Sequence, residues 1–434
     1  MEDFGQTLHR LREERGFSLR KLASLSGVDH SNIGRAEKGQ GGLSEQSVTY
    51  LDSALRADGE LVEAYRASSG HEGRRGPARR GVRQDPEDLV RRRILIQQAV
   101  TALAAGAAGP ALNAIRHGLV SSVTGREPGE MDVGEWEQIA HDYGAAYFTE
   151  QPTVLVHNLA AELADLQGEL DLVPDEEDLV HKGLSRSAAL LAAVMAMSLV
   201  NLGEFQQSRL WWRAARQTAD ASGDPAVRTW VRGHDAMHAL YDHRPFRAAL
   251  TRAGEALAIG GTTAYSGSCE ALGAQAQSLA LLGRADEART AVHQLADLLE
   301  RLPGDVTQDQ GTIYGYPETR MWHSTSYVHT HLGDTAPARV AQDNALTLYP
   351  IGRVRARAQV QLHTARCLVL DGHLDDGANH ALAVIDAVPP EHRTAMVLGV
   401  GHKVYDAVPS SERTRPTVAG LREMLALPAR TAAQ

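Results

Sequence analysis

Five stretches of this chain share one register, and that period limits what most of its length can fold into. They are LVNLGEFQQSRLWWRAA, ALYDHRPFRAALTRAGEAL, LALLGRADEARTAVHQLA, HTHLGDTAPARVAQDNAL and LVLDGHLDDGANHALAV. In each, an apolar helical run meets a turn residue, Gly203, His243, Gly283, Gly333 or Gly372, and a second helical run follows. Five positions past each turn stands a small residue: Ser208, Ala248, Ala288, Ala338 and Gly377. The turns are 40, 40, 50 and 39 residues apart. No run with strand-like alternation interrupts the chain from about Trp136 onward, so the expected fold is all-α. A helix pair of this kind leaves an apolar face that only its neighbour can cover, and the pairs stack into a superhelix with a concave surface. With the turns aligned, Trp230, His234, Met237 and Tyr241 face inward from one pair. Glu270 and Gln277 follow from the next, then Arg320, His323 and Tyr327, then Gln359 and Arg366. Aromatic area with a few polar groups suits a peptide or a polar small molecule.

The other informative stretch is SLRKLASLSGVDHSNIGRAEKG, Ser18 to Gly39. Ser18 can cap a short helix carrying Leu19, Leu22 and Ala23, and Gly27 supplies the positive φ of a tight turn. Asp29 can cap a second helix with Ile33 and Ala36 inward and Gly39 at its end. His30, Ser31, Asn32 and Arg35 are left outward, at the end of a recognition helix that reads base edges in a major groove. Arg35 suits guanine and Asn32 adenine. Arg10, Arg20, Lys21 and Lys38 are phosphate candidates, which position a protein without reading sequence. An amphipathic helix bearing Phe4, Leu8 and Leu11 packs behind this pair. Two more follow: Ser44 caps one carrying Val48, Leu51 and Leu55, and Asp58 caps one carrying Leu61, Val62 and Tyr65.

The spacing of Ala23, Gly27, Ile33 and Glu37-Lys38-Gly39 resembles the Xre family of helix-turn-helix regulators over about residues 3 to 66. The resemblance implies a five-helix, lambda-repressor-like head that binds operator DNA through Arg20, Lys21, His30, Ser31, Asn32, Arg35 and Lys38. Leu19 departs from the pattern, standing where many relatives carry a DNA-contacting Gln. The five aligned stretches resemble tetratricopeptide repeats, whose usual period is about 34 residues. Regulators joining such a head to such a body include peptide-sensing quorum regulators and actinobacterial proteins of development and antibiotic production, which implies signal-dependent control.

Four segments follow: the head over 1–67, a flexible Arg-rich linker over 68–86, connecting helices able to carry a dimer contact over 87–135, and the repeats over 136–428. The linker arginines Arg74, Arg75, Arg79, Arg80 and Arg83 read equally as minor-groove contacts or as solvated charge. Arg91-Arg92-Arg93-Ile94-Leu95-Ile96 looks like an export signal but lies inside the chain, and Gln97 and Gln98 break it as a membrane span. Residues 1–85 carry a net charge of +1 and the rest −11. A near-neutral head tolerates phosphates that an acidic body repels.

Cys269 and Cys367 sit in no metal or redox spacing and read as core fillers of a cytosolic protein. Composition rich in Ala, Gly, Arg and Leu suggests a high-GC genome. The nucleophile elbow, the phosphate loop and paired-cysteine metal sites are missing, so neither an enzyme nor a cofactor is expected. His234 and His238 lie one turn apart, and His323, His329 and His331 surround Tyr327, but no spacing fixes a third zinc ligand. They read as helix-surface histidines that titrate near neutrality. The partners expected are double-stranded DNA, a second copy of the chain, and a small-molecule or peptide effector, with no membrane. The alternative to an effector is a groove that docks a partner protein.

Overall fold

The computed structural model describes residues 4–26, 28, 30–39, 43, 45–57, 59–69, 133–173 and 178–426. Expectations placed on the Arg-rich linker and connecting helices between 70 and 132 lie outside these residues. So do the turn at Gly27, the caps Asp29, Ser44 and Asp58, and the side chain of Ser31. The chain divides into two compact units, Met1–Gln84 and Asp85–Gln434. Among the described residues every regular element is a helix, so the fold is all-α.

The head holds five helices: α1 (Phe4–Glu14), α2 (Leu19–Ser26), α3 (His30–Glu37), α4 (Glu45–Leu55) and α5 (Glu60–Ser69). Leu8, Leu22, Ile33, Val48, Leu51, Leu55 and Leu61 are wholly buried in one core. Ser18 caps α2, accepting from the amide of Lys21 at 3.2 Å. Gly39 ends α3 at φ 66°, a left-handed conformation that glycine adopts without a Cβ penalty. The start of α5 is held from a distance: the buried Asp52 carboxylate accepts from the amides of Gly59 at 2.9 Å and Leu61 at 3.0 Å.

Among the described residues the body starts with α6 (Val133–Thr149) and α7 (Pro152–Leu170). Six helix pairs follow: α8 (Asp178–Leu202) with α9 (Phe205–Ser222), α10 (Pro225–His238) with α11 (Phe246–Gly260), and α12 (Ser266–Leu281) with α13 (Ala285–Leu299). After the short α14 (Gly304–Gln308) come α15 (Glu318–Leu332) with α16 (Thr335–Leu348), α17 (Val354–Leu370) with α18 (Leu374–Ala387), and α19 (Ala395–Ala407) with α20 (Pro416–Ala426).

All five turn residues read from the sequence adopt positive φ: Gly203 80°, His243 61°, Gly283 72°, Gly333 80° and Gly372 90°. Four small residues beyond the turns are buried at the helix crossing: Ser208, Ala288, Ala338 and Gly377. In the second pair the crossing falls to Ala249 instead of Ala248, because Pro245 starts α11 one residue later. The inner helices α8, α10, α12, α15, α17 and α19 pack in succession, and α19 returns against α8, so they close a ring. The sixth pair belongs to no aligned stretch. Two matching corners shape it: DAVPPEHR at 386–393 leads into α19, and DAVPSSER at 406–413 joins α19 to α20. In each corner the arginine folds back: Arg393 donates to the Val388 carbonyl at 2.8 Å and Arg413 to that of Val408 at 3.1 Å. Helix α8 is long and apolar enough to cross a membrane, yet 89% of its most apolar window is buried inside the body, as in the central helix of a bundle.

Candidate functional site

In the head, α1 and α3 are locked together. Arg12 and Glu37 form a bidentate pair, Nε to Oε1 at 2.6 Å and Nη2 to Oε2 at 3.0 Å, with both side chains about nine-tenths buried. Burial pushes the Glu37 carboxyl up, but hydrogen bonds from Arg12 and His9 outweigh it and hold the group below its ordinary range. Gly5 lets α1 approach closely, since a Cβ there would stand 2.6 Å from the Ala36 carbonyl oxygen. This fixes α3 with its polar face outward. Arg20, Lys21, His30, Asn32, Arg35 and Lys38 are all exposed, and Arg35 Nη2 donates to Asn32 Oδ1 at 2.6 Å. The two residues expected to read bases therefore hold each other in place one turn apart.

Residues 3–65 match the helix-turn-helix domain family. The head is a helix-turn-helix domain. A further relative is the HTH-type transcriptional repressor RghR of Bacillus subtilis (strain 168), 36% identical over 77 residues. That alignment takes in 17% of this chain and 57% of the relative, so the chain spans little more than half the length of the protein it matches. No solved structure matches the chain.

Within the body, the ring of inner helices surrounds a half-open cavity of about 170 Å³. By volume that is room for on the order of ten water-sized positions. Eight of the eleven inward-facing residues read from the sequence line it: His234, Met237, Tyr241, Glu270, Gln277, Arg320, His323 and Gln359. The other three do not. Trp230 lies in the apolar core beside Trp211 and Trp212, with its ring 4.2 Å from His234. Tyr327 sits one turn deeper than His323, wholly buried and stacked on His331 at 4.0 Å. Arg366 lies two turns beyond Gln359 and spends its guanidinium on the Lys403 carbonyl. Register placed all three on the inner face. The cavity occupies only part of the ring, and below it lie Tyr327, the His331 ring stacked on it and the His363 ring set edge-on to it.

One end is closed by a segment that sequence reasoning missed as a functional element. The 50-residue interval between Gly283 and Gly333 is ten residues longer than its predecessors. The extra length contributes to the 300–317 connection, whose last nine residues form a strap over the channel. The Ile313 amide donates to the Gly144 carbonyl at 3.0 Å, and the Tyr314 hydroxyl to that of Ala140 at 2.6 Å. Asp309, Gln310, Thr312 and Ile313 roof the cavity, joined by Tyr147 and Phe148 of α6 and by Tyr349 and Arg353 of the α16–α17 corner. The irregular period was the signal that something is inserted there.

At the centre is a buried ion pair, Arg320 Nη2 to Glu270 Oε2 at 2.8 Å. Burial pushes the Glu270 carboxyl above its ordinary value, and Arg320 pulls against that. Arg320 also donates to the carbonyls of Gly315 at 2.9 Å and Ile313 at 3.2 Å, so it ties the strap to the cavity wall.

The expectation of surface histidines is corrected. His234 and His238 are 1% and 4% exposed. Burial, then the Arg320 charge, drives His234 well below its ordinary value. Burial likewise pushes His238 and His323 down to about 4 and His331 to about 3. They are neutral at pH 7 and do not titrate near neutrality. Among the described residues no cluster of metal-ligating side chains occurs. Cys269 and Cys367 are buried, and burial pushes the Cys269 thiol up to about 12, which suits core packing.

Proposed function

We propose that this chain is a sequence-specific DNA-binding transcriptional regulator, without enzymatic activity, whose tetratricopeptide-like body binds a small-molecule effector. The observation that carries the reading is the half-open cavity: a ring of six helices partly roofed by a strap and lined by converging aromatic, amide and ion-paired side chains. A body that served only as a docking groove would present an open concave face to an extended partner chain. The helix-turn-helix domain supports the DNA-binding half, with His30, Ser31, Asn32 and Arg35 at base edges and Arg20, Lys21 and Lys38 positioning the helix on the duplex. A helix-turn-helix protein of this kind works as a homodimer, its two heads meeting half-sites about 34–36 Å apart. Effector binding then changes operator affinity by favouring one arrangement of the heads. The test is native mass spectrometry of the full chain purified from its own host, with and without its promoter DNA. A dimer carrying a small mass that denaturation releases supports the reading. A monomer indifferent to DNA overturns it.

A further inference from the structure

The walls of the cavity specify the electrical character of what enters, given the reading above that this is an effector site. Four charged side chains line it, two carboxylates and two guanidiniums, and each is already engaged. Glu270 is paired with Arg320. Asp309 accepts from the amides of Gly311 at 2.8 Å and Thr312 at 2.9 Å, and from the Thr312 hydroxyl. Arg320 has its Nη1 on two strap carbonyls and its Nη2 on Glu270 and on His234 Nε2 at 3.1 Å. Arg353 donates to the Gln310 carbonyl and lies 3.4 Å over the Phe148 ring. The formal charges cancel. An ionic ligand would find no free counter-charge in this partly desolvated site, or would have to break the buried Arg320–Glu270 pair to obtain one, and either is costly.

Two residues of the lining, His238 and Gln277, each carry a buried polar atom with no partner. His238 donates from Nδ1 to the His234 carbonyl at 2.8 Å, which leaves Nε2 as a bare lone pair, and that atom bonds to nothing. Gln277 gives its Nε2 to the Ser324 hydroxyl at 3.3 Å, and its Oε1 is unpaired. The two residues are 4% and 2% exposed. Buried polar groups are nearly always hydrogen-bonded, and a bare acceptor in a cavity wall is completed by a donor on the occupant. The same lining includes the apolar or aromatic side chains of Met237, Tyr241, Phe148 and Met396.

We propose that the effector is an uncharged small molecule with an apolar or aromatic body and a hydroxyl or N–H group that donates to His238 Nε2 and Gln277 Oε1. Ionised peptides, phosphates and amines are excluded by the same walls.

The test uses four probes of nearly one shape on the full chain: tyrosol, its dimethyl ether, 4-hydroxyphenylacetate and tyramine. Ligand-observed NMR at millimolar concentration ranks them, with the Ala356→Trp chain, which fills the cavity, as the measure of site-specific binding. Tyrosol is expected to bind at least about tenfold more tightly than either ionised probe. The ether, which lacks a donor, should be about tenfold weaker than tyrosol, the worth of one neutral hydrogen bond. In His238→Phe the tyrosol advantage over the ether should disappear. The comparison of ionised with neutral probes needs no variant, so misfolding of that substitution would not shield the proposal. An ionised probe that equals or beats tyrosol, and is lost in Ala356→Trp, overturns the chemical class while leaving the cavity as an effector site. Failure of all four to bind the unaltered chain overturns both.

Discussion

Gly144→Ala unseats the strap without touching the cavity's own residues. Gly144 lies in α6, where the Tyr314 ring packs directly over it, and a Cβ at that position would overlap the ring at Cε2. The ring must withdraw by more than an ångström to reach ordinary contact, and the 2.6 Å hydrogen bond from its hydroxyl to Ala140 breaks. That loses about 1 kcal/mol for the hydrogen bond. The tilted ring contact of Tyr314 with Trp230, centroids 5.1 Å apart, accounts for about 1 kcal/mol more. Docking of the strap thus weakens by about 2 kcal/mol, roughly a thirtyfold shift toward the undocked state. Helix α6 itself gains, since Ala is favoured over Gly inside a helix by about 0.5–1 kcal/mol. Global stability therefore changes by only about 1 kcal/mol while local opening rises sharply. Hydrogen exchange read by mass spectrometry separates the two. Peptides covering 309–317, whose Ile313 amide is bonded to α6, should exchange about thirty times faster, with core peptides of α8 unchanged. Unaltered exchange over 309–317 would show that the Tyr314 contact does not hold the strap.

Three further outcomes follow from the same geometry. Arg320→Ala strands the Glu270 carboxylate in a buried site and should lower body stability by about 3–5 kcal/mol in urea unfolding. Arg320→Met with Glu270→Leu should recover most of the loss, and equal stability of single and double variants would refute the pairing. The folded values of His238, His323 and His331 lie below the ordinary 6.5, so the unfolded chain binds protons first as pH falls. Stability is full above pH 6.5 and should decline toward pH 4 by up to about 1.4 kcal/mol per pH unit for each histidine. A flat urea midpoint between pH 7 and 5 would contradict this. On DNA sites selected in vitro, Arg35→Ala and Asn32→Ala should each cost about 1–3 kcal/mol and relax specificity at one base position. Unchanged footprints would remove them from the reading set.

The repeat turns were legible because backbone geometry leaves few choices there. A left-handed turn between helices selects Gly, and even the exception, His243, was exposed by its place in the register. The side chains around the cavity were legible to the extent that helical register places one face inward, which located eight residues but not the depth of the floor. Depth depends on how the Tyr327, His331 and His363 rings meet across the ring of helices, a tertiary fact with no local signature. Burial of the histidines was missed for the same reason: His234 and His238 carry a polar label, and only the closure of α19 on α8 turns their helix face into an interior. The sixth pair had a readable sign, the repeated DAVP…R corner twenty residues apart. It escaped because its turns use proline and a folded-back arginine instead of glycine.

Closure also decides how a ligand can be felt elsewhere in the chain. The roof is held at three places, by α6 through the Gly144 and Ala140 carbonyls, by Arg320 through its own contacts to the strap, and by Arg353 on the Gln310 carbonyl. Arg320 is at once the partner of Glu270 in the wall and the anchor of Ile313 and Gly315 in the roof. A molecule that changes the position of Arg320 therefore changes the strap, and the strap bears on α6. That helix is the first described element after the helix-turn-helix domain in chain order. The physical link from cavity to α6 is thus a short series of named hydrogen bonds, each removable by one substitution, which makes it a coupling that can be tested and not merely a path of adjacent residues. If Gly144→Ala frees the strap and leaves the response of DNA binding to effector intact, the signal travels by another route.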